Sequence, residues 1–426
     1  MADRLARDPR VSVKARRRRP LWGQALADGA GFFRLRPADL LVKTFSSGLM
    51  DKTADGRLRD VWFDDLIIAH GDALKIEGIN NRALLPERKK ALIPSVCTTT
   101  LLDLASQQLG RRIKWPREIS TIATELSAAI SAEFDVAMPV EMMRTVMANF
   151  LWQKRLYSAI LARVRPKTIM VADFGEYGLV AAAKERGIRV FEVQHGIADR
   201  YHAAYAWTED SAVNRPRMPV PDRLLLFGEY WKEELSASFW GKSLEVVGSA
   251  RCDRYREIPR TSGTGRYRIL VTADGIESIE TIRMLKEFLD AARGVDVGVI
   301  VKLHPIFGES DAAIETAFSG EARVSTLRAT EGESTFRLLR TVDLHASIAS
   351  ASHYDALGLG TPTVILGAGR YKTVENLHER GHASLVFNGA EMVPVLKRAR
   401  VARVPELVSE FYFRSGAVPN VLALLS

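Results

Sequence analysis

The chain has 426 residues, enough for about two or three domains that each bury a full hydrophobic core. Hydrophobic residues make up 47% and charged residues 26%, and no apolar run approaches the roughly 18–20 residues of a membrane-spanning helix. The N-terminal residues lack the apolar stretch of a signal peptide, and two cysteines, Cys97 and Cys252, supply neither a disulfide framework nor a metal-ligand spacing. We therefore expect a cytoplasmic protein.

The net charge of +9 is concentrated at the N-terminus. Residues 1–19 contain eight basic and two acidic side chains, so this short segment carries +6 and the rest of the chain +3. Residues 1–25 are predicted to be a disordered basic tail. The first interpretation of this tail is a solvated leader. The alternatives are a peripheral position on the anionic inner membrane face and a nucleic-acid contact.

Residues 26–140 form a mixed, mainly helical region. Helical spacing is present at 99–109, 119–134 and 140–164, and residues 62–68 fit either a strand or a short helix.

From about residue 165 the pattern alternates between strands and helices. We predict strands at 168–172, 188–193, 223–227 and 244–247, with helices at 177–186 and 230–238. Residues 26–254 are therefore interpreted as an N-terminal, acceptor-side domain with a Rossmann-like core from about residue 165.

A polar, turn-rich linker is predicted at 255–266, followed by a second alternating series in a domain spanning 267–400. Its predicted strands lie at 267–272, 297–303, 343–348 and 363–366, and its helices at 278–292, 334–341 and 354–358. Residues 401–426 are predicted to be a helical segment. The fold class is therefore α/β, with two Rossmann-like domains facing a central cleft.

In the first domain, Gln194-His195-Gly196 follows an apolar strand. Ligands of open α/β sheets bind at the carboxyl ends of the strands, and a histidine there can act as a general base near neutral pH. Asp173 and Glu176 lie on the turn after the preceding strand, so either is a candidate base or a partner that orients His195. Helix capping is the alternative role for these two carboxylates.

In the second domain, Lys302 and the pair His304-Pro305 end a strand, where a cation or hydrogen-bond donor suits a phosphate. Residues 347–352 form a turn rich in small side chains, with hydroxyls at Ser347, Ser350 and Ser352. This turn favours phosphate binding, although it is not a P-loop. Two further candidates are added to this nucleotide site: Asp274 and Gly275 on the turn after the first strand.

These motifs together resemble those of glycosyltransferases of the two-Rossmann-domain (GT-B) type that build bacterial surface polysaccharides. The resemblance is to CDP-glycerol glycerophosphotransferases and to capsule transferases that use CMP-sugars such as Kdo and sialic acid. It rests on the histidine-glycine at His195, on the Lys302-Leu303-His304-Pro305 run, and on a spaced set in the second domain. That set comprises Asp343, Ser347, Ser350, Asp355 and Pro362. Ala349 and Ala351 depart from the pattern, which favours a sugar donor over glycerol phosphate.

The resemblance implies a metal-independent glycosyltransferase without a cofactor, whose substrates are a nucleotide-sugar and a glycan or lipid-linked acceptor. We expect a CMP- or CDP-linked donor in the second domain, held by the candidates above together with Asp355. The sequence also contains no helix with two histidines at metal-ligand spacing beside carboxylates. A UDP-sugar 2-epimerase and a non-catalytic polysaccharide assembly protein remain as alternatives.

Overall fold

A computed structural model describes residues 29–45, 50–79, 86–110, 113–260, 265–273, 275–304, 308–328 and 334–426. The basic tail, Asp274 and Pro305 lie outside these described residues.

The first domain is built on a seven-stranded parallel sheet with the order β5-β4-β1-β6-β7-β8-β9. Its strands are β1 (Leu40–Phe45), β4 (Ala73–Gly78), β5 (Cys97–Thr98), β6 (Thr168–Val171), β7 (Arg189–Val193), β8 (Arg223–Leu226) and β9 (Leu244–Val246). An antiparallel hairpin, β2 (Met50–Lys52) and β3 (Leu58–Asp60), follows the first strand.

The expectation that the Rossmann-like core starts near residue 165 is wrong. Strand β1 lies between β4 and β6, so the chain enters the centre of the sheet at Leu40. The region before residue 165 therefore supplies three strands of the sheet as well as helices.

Helices cover this sheet on both faces. The named helices of this domain are α1 (Asp64–His70), α2 (Thr100–Gly110), α3 (Arg117–Phe134), α4 (Val140–Val164), α5 (Tyr177–Lys184), α6 (Glu229–Glu234) and α7 (Ala250–Arg256). Of these, α3 packs on α4. Residues 62–68, left open between strand and helix, fall largely in α1. The helices predicted at 99–109, 119–134 and 140–164 are confirmed as α2, α3 and α4 with small changes of boundary.

The second domain has a six-stranded parallel sheet with the order β12-β11-β10-β13-β14-β15. Its strands are β10 (Tyr267–Thr272), β11 (Val297–Lys302), β12 (Val324–Leu327), β13 (Leu344–Ser347), β14 (Thr363–Leu366) and β15 (Ser384–Val386). Its helices are α8 (Ser278–Ala291), α9 (Gly308–Ala317), α10 (Thr335–Thr341), α11 (Ser352–Gly358), α12 (Asn376–Glu379) and α13 (Met392–Val401). Both sheets follow the Rossmann strand order. Strands are added first on one side of β1 or β10 and then on its other side, so the chain has two Rossmann-like domains.

The predicted C-terminal helical segment forms α14 (Glu406–Tyr412) and α15 (Ala417–Leu425). It returns to the first domain, where Val421 joins the apolar core that contains Leu40 and Met170. The approach is close at Gly228, where a Cβ atom would stand 2.3 Å from the carbonyl oxygen of Phe411. Only a residue without a side chain permits this contact.

An aromatic cluster joins the two domains. Tyr230 and Trp231 of the first domain pack on Tyr354 and Tyr412, and the indole N–H of Trp231 donates to the Tyr412 carbonyl at 3.1 Å. All four side chains are buried. The domains therefore share a continuous apolar seam beside the edges where the strands end.

Candidate functional site

The carboxyl ends of β6 and β7 place the first-domain candidates next to each other. Gln194 is buried, and its side chain fixes the loop that follows β7. Its Oε1 accepts the Phe227 backbone N–H at 2.9 Å, and its Nε2 donates to the Gly196 carbonyl at 2.7 Å. This double contact holds His195 at the end of the sheet.

His195 is half-buried between aromatic rings. Its ring stacks on Phe174 at 6.0 Å and meets the edge of Phe45 at 6.1 Å. Burial lowers the pKa of His195, and the nearby charge of Asp173 only partly opposes this shift. The imidazole is therefore neutral at neutral pH, which is the form that accepts a proton.

Two buried residues behind His195 were not found by sequence reasoning. The Tyr205 hydroxyl donates to Oε1 of Glu192 and lies 3.4 Å from Nδ1 of His195. Burial raises the pKa of the Glu192 carboxyl to about 8. The available signal was the single acidic residue within the apolar run of β7; Tyr205 lies in a loop and gave none.

Asp173 and Glu176 do not share one environment. Asp173 is half-buried beside His195, and its Oδ1 accepts the Gly175 backbone N–H at 2.8 Å, which shapes the turn. Glu176 instead pairs with the buried ammonium of Lys43 at 2.5 Å, and Tyr157 donates to its other oxygen at 3.3 Å. Asp173 is therefore the carboxylate that accompanies His195.

Lys43 and Glu176 belong to a second charged cluster that also contains Asp103. The Thr99 hydroxyl donates to Asp103 at 3.1 Å. Burial raises the pKa of Asp103 to about 6, although the charge of Lys43 counteracts this effect. The cluster thus holds two carboxyl groups and one ammonium in a region of low water content.

In the second domain, Lys302 and His304 lie at the end of β11. Lys302 is buried and donates from Nζ to the Arg328 carbonyl at 3.3 Å, while His304 is half-buried. Lys302 stands beside Thr272 in the parallel register, so β10 and β11 end at the same level.

The serine turn divides into a structural and an accessible part. The Ser347 hydroxyl is buried and donates to the Thr272 carbonyl at 2.6 Å, which ties β13 to β10. Ser350 and Ser352 are half-buried, and the Ser350 hydroxyl accepts the Ser352 backbone N–H at 3.2 Å. These two serines are the hydroxyl-bearing members of the turn that approach solvent.

Two further candidates of the nucleotide site are Asp355 and Gly275. Burial raises the pKa of Asp355 to about 7, and the charge of Arg251 from the first domain opposes the shift. Asp355 therefore lies at the seam between the domains. Gly275 has a φ of +76°, a left-handed conformation that favours glycine, as the predicted turn requires.

A buried histidine pair supports the serine turn from below. His345 and His353 both place Nδ1 within 2.8 Å of the Thr363 hydroxyl, and His345 Nε2 lies 2.9 Å from the hydroxyl of Thr272. Burial lowers the pKa of His353 to about 3 and that of His345 as well, so both rings are neutral. Sequence reasoning did not identify this network, which fixes β13, β14 and α11.

Arg370, a further basic residue on the loop after β14, is bound to an acidic partner. Buried Glu277 accepts from the Arg370 backbone N–H at 3.0 Å and from its Nε at 2.9 Å. The pair connects the loops after β10 and β14, so Lys302 and His304 are left as the principal cationic candidates.

Across the described ranges, no three histidine, cysteine or carboxylate side chains are grouped as a metal-ion site would require. In the same part of the chain, every helix is too short or too polar to cross a lipid bilayer.

Comparison with known proteins identifies the fold. No family model and no curated protein sequence matches the chain. Among solved structures, it is similar to the UDP-GlcNAc 2-epimerase of Neisseria meningitidis bound to UDP-GlcNAc, with a TM-score of 0.53 and 13% identity over 91% of this chain and 99% of that chain. The UDP-GlcNAc 2-epimerase of Methanocaldococcus jannaschii gives a TM-score of 0.54 and 13% identity over 91% and 98%.

A polymerase is also similar. The wall teichoic acid polymerase TagF gives a TM-score of 0.51 and 12% identity over 94% of this chain and 92% of that chain. The chain therefore has the GT-B-type fold with two Rossmann-like domains, and it shares that fold with both epimerases and a polymerase of teichoic acid.

Proposed function

We propose that this protein is a metal-independent glycosyltransferase that transfers a sugar from a CMP- or CDP-linked donor to a surface polysaccharide or glycolipid. One observation carries the proposal: in each of the two parallel sheets, a strand is followed by a histidine at its carboxyl end. These residues are His195 after β7 and His304 after β11. Ligands bind at such strand ends.

The proposed chemistry divides between the two domains. Neutral His195, assisted by the charge of Asp173, accepts the proton of the acceptor hydroxyl as its oxygen attacks the anomeric carbon. The bond from that carbon to the donor phosphate breaks, and the phosphate leaves with its electron pair. Lys302, His304 and the hydroxyls of Ser350 and Ser352 stabilise the charge that develops on this leaving group.

A second candidate is a nucleotide-sugar 2-epimerase. The cluster of Asp103, Glu176 and Lys43 favours it, because an epimerase needs acid and base groups and the raised pKa of Asp103 suits proton transfer. The solved epimerases share the fold.

The donor nucleotide is tested by thermal unfolding in the presence of CMP, CDP, UDP, GDP and ADP. We expect CMP or CDP to raise the unfolding temperature most, because a ligand that binds the folded state stabilises it by mass action. A preference for UDP without a cytidine response would contradict the CMP-sugar assignment and favour the epimerase.

The reaction class is tested with nucleotide-sugars in the absence of an acceptor. A transferase releases free nucleotide only when an acceptor is added, whereas an epimerase converts the nucleotide-sugar alone, which NMR of the sugar detects. Nucleotide binding without either reaction would identify a non-catalytic protein.

We also propose that residues 1–19 hold the enzyme at an anionic membrane surface. Deleting them should reduce co-sedimentation with anionic vesicles, and raising the salt from 0.1 to 1 M should weaken the full chain's binding as the Debye length falls from about 10 to about 3 Å. Nucleotide binding serves as the control for folding. Equal vesicle binding with and without residues 1–19 would contradict this role and would identify the segment as a solvated leader.

A further inference from the structure

The hydroxyl of Tyr205 stands between Glu192 and His195. It is hydrogen-bonded to Oε1 of Glu192 on one side and lies 3.4 Å from Nδ1 of His195 on the other. Tyr205 is 2% exposed and Glu192 is 1% exposed, so bulk water does not separate the three groups. The three groups form a row in which the Tyr205 phenol lies between the buried Glu192 carboxyl and the imidazole of His195, the proposed base.

A phenol carries one proton, so its two partners cannot both receive it. When Glu192 is ionised, Tyr205 donates to the carboxylate, and its oxygen accepts the proton of His195 Nδ1. The other nitrogen, Nε2, is then unprotonated. When Glu192 is protonated, it donates to Tyr205, and Tyr205 donates to Nδ1. The imidazole proton then resides on Nε2, which can no longer accept one.

We propose that Tyr205 and Glu192 are positioning residues that select the tautomer of His195, so that ionised Glu192 makes Nε2 the proton acceptor. The inference rests on the proposed function for its catalytic consequence, but the tautomer itself is a property of the folded chain. The inference assigns a role to Glu192, the buried acidic residue of β7, whose other residues are apolar or exposed.

Among the described residues, three further titratable groups act on Glu192, Tyr205 and His195. Asp173 faces them from the turn after β6, Tyr177 from the start of α5, and His202 from the loop that carries Tyr205. Burial raises the pKa of Glu192 to about 8, and Asp173 adds to the shift. Burial also raises the pKa of Tyr205 far above its ordinary value, so the phenol keeps its proton. Both states of Glu192 are thus accessible at moderate pH.

The tautomer is measured on the full chain by 15N NMR of labelled histidine, with the His195 signals assigned by their loss in His195→Gln. We expect the proton to move from Nε2 at pH 7 to Nδ1 at pH 9, with a midpoint near pH 8. In Tyr205→Phe and Glu192→Gln this transition should disappear. The control is Tyr201→Phe, a tyrosine of the same loop that is 85% exposed and should leave it unchanged. An identical tautomer at pH 7 and 9 in the wild type would overturn the inference.

The kinetic readout is kcat/KM against pH. The wild-type rate should rise with the same midpoint, and Glu192→Gln should remove that rise. Tyr205→Phe should lower kcat by up to roughly 10²-fold with little change in KM, the lower range of what a general base contributes. A tautomer transition without transfer from any nucleotide-sugar would support the inference and contradict the proposed function. Transfer whose pH dependence is unchanged in both variants would overturn the inference alone.

Discussion

His195→Ala is expected to reduce turnover by roughly 10²–10⁴-fold, the contribution of a general base, while nucleotide affinity changes little. The reason is the separation of the two histidines: His195 lies at the end of β7 in the first domain, and His304 at the end of β11 in the second. Removing the imidazole therefore leaves the donor side intact. Steady-state transfer assays and nucleotide titrations measure the two quantities on the same preparation.

His304→Ala should show the opposite pattern, with weaker nucleotide binding because the donor phosphate loses a cation or hydrogen-bond donor. His378→Ala, which removes an exposed histidine, is the matched control. Loss of nucleotide binding in His195→Ala would mean that the roles of the two domains are reversed. An unchanged turnover would transfer the role of base to a carboxylate, and Asp173→Asn and Glu176→Gln would then distinguish the two candidates.

Lys43→Met is expected to lower the free energy of unfolding by about 3–5 kcal/mol, the effect of removing one partner from a buried ion pair. The Lys43 side chain is only 4% exposed, and Glu176 and Asp103 both lie within the reach of its charge. Without the ammonium, two carboxyl groups remain in a poorly solvated place. Urea unfolding, followed by tryptophan fluorescence, measures the loss.

The matched control is Lys167→Met. Lys167 pairs with Asp39 at 2.7 Å, close to the 2.5 Å of the Lys43 pair, but its side chain is 73% exposed. An exposed pair contributes about 0–1 kcal/mol, so this variant should unfold almost as the wild type does. Lys43→Met combined with Glu176→Gln should recover part of the loss. Equal stability of Lys43→Met and Lys167→Met would contradict the stabilising role of the buried Lys43–Glu176 pair.

The sequence predicted the second domain better than the first, and the reason lies in where the buried charges are. Strand β10 matches its predicted bounds, and β11 is one residue shorter than predicted. Both strands are largely apolar, and the buried charge of β11, Lys302, comes only at its last residue. Strands β1 and β4 were missed because Lys43, Lys75 and Glu77 interrupt the apolar pattern. These charges are buried against partners outside their own strands: Lys75 pairs with Asp64 at 2.6 Å, and Glu77 with Arg88 at 2.7 Å. The order of apolar and polar residues along the sequence does not show which charged side chains form such pairs.

The sequence predicted which candidate residues follow the ends of strands, but not which of their side chains contact each other. Strand-end position placed Asp173 and His195 together correctly, because parallel strands end at one edge. The separation of Glu176 from them depends on Lys43 and Tyr157, which come from a strand and a helix that the pattern did not connect to the turn. The burial of the Ser347 hydroxyl likewise depends on the β10–β13 pairing.

The position of Val421 in the first core has a consequence for synthesis. Leu40, Val42 and Met170 are translated early, but Val421, one of the side chains that covers them, is translated only after the strands of both sheets. A nascent chain that has emerged as far as the end of the second domain still exposes this part of the earlier one. The first domain is therefore completed only after the second has been made. A stop codon before residue 417 would destabilise the first domain, although residue 417 lies beyond both sheets.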